Sequence, residues 1–239
     1  MNKNIRVVTG GAPLVSEIDR WVRALLQQAI DQNGTATIAL AGGSTPKAVY
    51  QALSKAEFAW EKLHVFWGDE RFVPPSHPDS NEKMARENWL DLVPIPAANI
   101  HPWPTEAGTP EQCAELYGAE LTKYFATPQP SFDLVLLGMG EDGHTASLFP
   151  HTAALGVVDR STTVGQKDGQ PRLTLTVPAI NNATCVAFII TGASKRPALK
   201  QVMATTANAQ EYPSRLIQPS GELTWWFDEA AAAELDNLG

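Results

Sequence analysis

A short apolar run, Phe132-Asp133-Leu134-Val135-Leu136-Leu137, passes directly into Gly138-Met139-Gly140-Glu141-Asp142-Gly143-His144, and this junction constrains the fold more than any other part of the chain. A nearly continuous apolar strand marks a parallel sheet covered on both faces. The carboxyl end of such a strand is where open α/β sheets bind ligands. The glycine-hinged turn that follows displays a histidine and two carboxylates, the setting of a catalytic base. Gly138, Gly140 and Gly143 also spell G-x-G-x-x-G, but a dinucleotide site is rejected. Glu141 and Asp142 would face a pyrophosphate with negative charge, and Pro150 stops a helix there early.

A second glycine turn strengthens this reading. Thr37-Ile38-Ala39-Leu40-Ala41-Gly42-Gly43-Ser44-Thr45-Pro46-Lys47 reads as strand, tight turn and helix, with Ser44 or Thr45 as N-cap and Pro46 at the first helical position. Free backbone N–H groups, two hydroxyls and the positive end of a helix dipole would then converge on one point. That is an anion site, and phosphate is its natural tenant. A third strand, Leu63-His64-Val65-Phe66-Trp67, runs into Gly68-Asp69-Glu70-Arg71 and a proline-rich loop, with a helix expected from Glu82 to Leu90. Three strand ends bearing ligand-type residues imply a shared crevice.

The alternation of strands and helices implies an α/β fold with a mostly parallel sheet and helices on both faces. Apolar residues from Leu14 to Ile30 recur at helical spacing, and helices are also expected at Lys47–Lys55, Glu111–Phe125, Arg196–Ala204 and Asp228–Leu235. The stretch Val93–Pro110 reads as a surface excursion, and Trp225-Trp226-Phe227 as core or interface packing. The 239 residues are expected to form one domain spanning 1–239. A formal charge of −8 argues against non-specific nucleic-acid binding and leaves the capture of an anion to local cations. Cys113 and Cys185 are the only cysteines and lack metal or redox spacing, so both are read as free thiols of a cytoplasmic protein. The first residues lack an apolar signal region, and no segment reaches membrane-spanning length. His64, His77 and His101 carry no motif and are read as surface or capping residues.

Ala41-Gly42-Gly43-Ser44-Thr45-Pro46, Trp67-Gly68-Asp69-Glu70-Arg71 with Asp79-Ser80-Asn81, the Gly138–Pro150 run and Thr191-Gly192-Ala193-Ser194-Lys195 together resemble, in order and spacing, the signature segments of the 6-phosphogluconolactonase family. Pro213-Ser214-Arg215-Leu216-Ile217 and Leu223–Asp228 fit the same pattern, so the likeness covers nearly the whole chain. It implies a modified Rossmann-like fold and hydrolysis of 6-phospho-D-glucono-1,5-lactone without cofactor or metal. Some fragments are shared with the related glucosamine-6-phosphate deaminases. Those enzymes place a glutamate immediately before the proline that follows the histidine, where this chain has Phe149, and tend to have a tyrosine at the position of Arg71. The alternatives kept beside the lactonase are therefore a deaminase and a non-catalytic phosphosugar-sensing module.

On this reading His144 activates water, because imidazole is the side chain that accepts a proton near neutrality. Asp142 orients it. The phosphate rests on Gly42, Gly43, Ser44 and Thr45, with charge from Lys195 and Arg215. Asp69 binds sugar hydroxyls. Two roles are open to Arg71, at the phosphate or at the developing oxyanion. The partner is a small sugar-phosphate lactone, not a nucleic acid or a membrane, and the oligomeric state is unspecified.

Overall fold

The structure, a computed structural model, describes residues 3–235. In chain order the elements are β1 (Lys3–Val8), α1 (Ala12–Asn33), β2 (Ala36–Leu40), α2 (Ser44–Leu53), β3 (Leu63–Trp67), β4 (Asp69–Arg71), α3 (Asn81–Asn88), α4 (Pro110–Phe125), β5 (Leu134–Leu137), β6 (Thr162–Lys167), β7 (Gln170–Leu175), α5 (Val177–Asn181), β8 (Cys185–Ile190), α6 (Arg196–Met203), β9 (Glu222–Asp228) and α7 (Glu229–Ala232). Six of the strands form one sheet in the order β1-β9-β8-β5-β2-β3. Every pair in it is parallel. Strands β2, β5 and β8 are buried along their full lengths, which is why they read as uninterrupted apolar runs. The sheet grows from β2 toward β3 on one side and toward β5 on the other, so a topological switch point lies between β2 and β5.

The helices pack an apolar face on this sheet, as their spacing predicts. In α1 the buried face is Leu14, Ile18, Val22, Leu26, Ala29 and Ile30, and Gly34 ends the helix in the left-handed conformation with its N–H donating to Ile30 O. Trp225, Trp226 and Phe227 are core residues, and the Trp225 ring stacks on Phe188 at 4.0 Å.

Several boundaries differ from expectation for identifiable reasons. Helix α2 starts at Ser44, because Gly43 takes φ 108° and serves as the N-cap without a side-chain bond. Pro46 is tolerated in that first turn, where an N–H has no helical partner anyway. Helix α7 ends at Ala232, well before Leu235. The Val93–Pro110 excursion is pinned to the core by Trp103, which is 2% exposed, stacks on Tyr117 and donates its indole N–H to Trp67 O. His64 and His101 are half-buried and hydrogen-bonded to each other at 3.2 Å, with His101 also bonded to Glu120.

A second, three-stranded antiparallel sheet, β4-β7-β6, was not expected. Its hairpin turns at Asp168 and Gly169, both at positive φ, the geometry that keeps a two-residue turn matched to strand twist.

Candidate active site

The turns after β2, β3, β5 and β8 meet at a cleft of about 360 Å³ beside the switch point. Sites for small molecules span roughly 300–1,000 Å³, so this one suits a compact ligand. Its wall includes Gly42, Asp69, Arg71, Gly138, His144 and Lys195.

The Asp142 carboxylate fixes the His144 side chain. Its Oδ1 accepts the His144 backbone N–H at 3.1 Å and lies 2.5 Å from His144 Nδ1. Against an ionised carboxylate Nδ1 must carry the proton, which leaves Nε2 as the nitrogen with a free lone pair. Burial by itself would raise the Asp142 carboxyl. The hydrogen bond and charge of His144, with Lys167 adding, outweigh burial and hold it well below the usual carboxylate range. The approach of the two side chains requires glycine at 140, since a Cβ there would lie 2.1 Å from His144 Nδ1 and 2.5 Å from Asp142 Oδ1. Phe149 packs its ring 4.5 Å from the imidazole. Ser214 braces the same turn from outside, donating both its N–H and its hydroxyl to Gly143 O.

Across the cleft the Gly42-Gly43 turn lines the wall, whereas Ser44 and Thr45 are not among the lining residues. Ser44 is exposed, and the Thr45 hydroxyl is shared with that of Thr191 at 2.8 Å. Lys195 reaches the wall from the start of α6.

Arg71 is held in place before any ligand arrives. Its Nη1 donates to Asp79 O at 3.1 Å and, closely, to Asn81 Oδ1. The Asn81 amide also donates to Asp69 O and packs so tightly on Gly42 that a Cβ there would sit 2.1 Å from Asn81 Oδ1. The Asp69 carboxylate accepts the Ser147 hydroxyl at 2.7 Å.

Sequence reasoning missed Asn81 and Ser147 as lining residues, and it missed two cations. Lys167 and Arg172 enter the cleft from the β6–β7 hairpin. Arg172 stands opposite Arg71 in the β4–β7 register. Burial, then the Arg71 charge, lowers the Arg172 guanidinium from its ordinary value. Like charges placed directly opposite on adjacent strands destabilise a sheet, and bound negative charge relieves them. The signal for the hairpin was present as Asp168-Gly169 between two strand-like runs.

Arg215 is not brought to the cleft. Its guanidinium instead donates to the carbonyls of Gln201, Val202, Ala204 and Thr205 at the end of α6. Helix ends leave such carbonyls without partners, and a nearby arginine satisfies them. Among the described residues no group of three or more His, Cys, Asp or Glu side chains is arranged to hold a metal ion, and no helix is long and apolar enough to cross a membrane.

Comparison with known proteins gives this geometry a family. The profile described as glucosamine-6-phosphate isomerases/6-phosphogluconolactonase matches residues 11–226. A 6-phosphogluconolactonase of Synechocystis is 56% identical over 90% of each chain, and one of Nostoc is 53% identical over 98% of this chain and 99% of its own. Among solved structures, the 6-phosphogluconolactonase of Trypanosoma brucei superposes with a TM-score of 0.88 at 33% identity, over 98% of this chain and 99% of that one. A monomeric glucosamine-6-phosphate deaminase reaches a TM-score of 0.83 at 17% identity over 96% and 99%, a likeness of fold alone. The chain therefore belongs to the glucosamine-6-phosphate isomerase/6-phosphogluconolactonase family, among its 6-phosphogluconolactonases.

Proposed function

We propose that this protein hydrolyses 6-phospho-D-glucono-1,5-lactone with His144 as general base. The observation that carries the reading is His144, held from behind by Asp142, on the wall of a cleft whose lining also holds Arg71, Lys167, Arg172 and Lys195 against the single carboxylate of Asp69. A base with a fixed tautomer and a surplus of local positive charge suits an anionic ester in a chain whose formal charge is −8.

His144 Nε2 takes a proton from water as the water oxygen attacks the lactone carbonyl carbon. The carbonyl oxygen becomes an oxyanion. Collapse of the tetrahedral intermediate breaks the bond to the ring oxygen, which leaves as a hydroxyl after taking the proton back from the imidazolium. Arg71 meets the oxyanion, because donors fixed before reaction are those that lower a barrier, and its Nη1 is already clamped by Asp79 O and Asn81. The phosphate rests on the Gly42-Gly43 turn with Lys195, where a helix N-terminus and a mobile point charge suffice. Asp69, held by Ser147, accepts from sugar hydroxyls. The residues supply every group this route needs, so it calls for no cofactor or metal.

A lactone-hydrolysis assay run beside an ammonia-release assay on glucosamine 6-phosphate tests the reading. Lactonase activity without ammonia release supports it. Ammonia release alone, or neither activity, overturns it in favour of the deaminase or the phosphosugar-sensing module.

A further inference from the structure

The most thoroughly buried carboxylate of the described chain lies beside the cleft without entering it. Glu70 is 2% exposed. Its Oε1 accepts the backbone N–H of Arg71 at 2.7 Å and of Asn81 at 2.8 Å. Its Oε2 accepts the N–H of Glu82 at 2.8 Å and the Ser80 hydroxyl at 3.1 Å. Burial pushes this carboxyl up to about 7, while the three backbone N–H groups pull the other way. A carboxylate is buried at a cost that hydrogen bonds must offset, and here four donors converge on it.

What it fixes is the two ends of one clamp. Arg71 and Asn81 are ten residues apart, on β4 and at the first position of α3, and no ladder joins those elements. The carboxylate ties the backbone of both to one point, and their side chains then meet over the cleft. We propose that Glu70 is a positioning residue, setting the Arg71 guanidinium through Asn81 and the paired backbone amides. The inference rests on the lactonase reading for its kinetic consequence but not for its geometry.

Glu70→Gln is the informative change, because an amide offers one acceptor oxygen where the carboxylate offers two. Whichever way it turns, its NH2 faces two donors. On the lactone, turnover is expected to fall about 10²-fold with the Michaelis constant within about threefold of the parent, the mark of a misplaced group acting in the transition state. The same substitution in an Arg71→Ala background is expected to cost less than about threefold, because the guanidinium it positions is gone. An equal loss in both backgrounds would reduce Glu70 to a structural role and overturn the proposal. If Glu70→Gln fails to fold, Asn81→Ala in the same cycle reads the clamp while leaving its backbone N–H on Glu70.

Nitrogen-15 relaxation of the Arg71 side chain tests the geometry without substrate. The Nε group is expected to be ordered in the parent and mobile in Glu70→Gln or Asn81→Ala, and equal mobility in all three contradicts the proposal. An ordered Arg71 in a parent that does not hydrolyse the lactone would sink the functional reading and leave this one standing.

Discussion

Oδ1 of Asp142 lies 2.5 Å from Nδ1 of His144 and also holds the His144 backbone N–H, so one carboxylate oxygen sets both the tautomer and the direction of the imidazole. Asp142→Asn keeps the size of the partner but removes the charge that stabilises the imidazolium. Turnover on the lactone is expected to fall by about 10²-fold, with the Michaelis constant little changed. Steady-state kinetics on the purified variant check this.

The same pair makes a signed pH prediction. Asp142 is depressed in the folded protein, so the pair adds stability above the ordinary aspartate pKa of about 3.9 and loses it as pH falls toward the lower folded value. The stability gap between parent and Asp142→Asn should narrow as the pH falls below about 4. Carboxyl titration by NMR should show the Asp142 midpoint rising in His144→Ala, since burial then acts with less opposition. An unmoved midpoint would dissociate the two side chains.

Gly140→Ala tests how closely the pair must approach the turn. The new Cβ would fall 2.1 Å from His144 Nδ1. A displacement of about 1 Å suffices for a 10²-fold loss of turnover, and the variant should still melt cooperatively.

Lys195 and Arg215 should separate cleanly. Lys195→Ala removes a cation from the cleft wall and should raise the Michaelis constant and weaken competition by inorganic phosphate. Arg215→Ala removes the guanidinium that closes the end of α6. It should cost about 1.5–3 kcal/mol of stability in denaturant titration and leave the Michaelis constant unchanged.

The parallel sheet and the three strand-end turns were legible because each signal is local: apolar runs for buried strands, glycine where the backbone must turn, and charged residues just beyond. Residues His144, Asp69, Arg71, Gly42 and Gly43 follow directly from those ends, Lys195 follows from the family resemblance, and all six line one cleft. The antiparallel hairpin was legible in principle from Asp168-Gly169 but was masked by an expectation of parallel pairing, and with it went Lys167 and Arg172. Asn81 and Glu70 act through contacts ten or more residues away, which no periodicity encodes. Arg215 came to the site through the family resemblance, and nothing local in Pro213-Ser214-Arg215-Leu216-Ile217 marks which way a guanidinium will turn. Its destination depends on where α6 ends.

Arg71→Ala separates oxyanion from phosphate binding. A clamped guanidinium acting on developing charge should cost about 10²–10³-fold in turnover with little change in the Michaelis constant. A loss confined to the Michaelis constant would place Arg71 at the phosphate.

The central claim is that His144 activates the attacking water, and the turnover of His144→Ala on 6-phospho-D-glucono-1,5-lactone tests it most directly once the spontaneous hydrolysis rate is subtracted. The account predicts a fall of about 10²–10⁴-fold with substrate binding nearly intact. Near-normal turnover in that variant would contradict it.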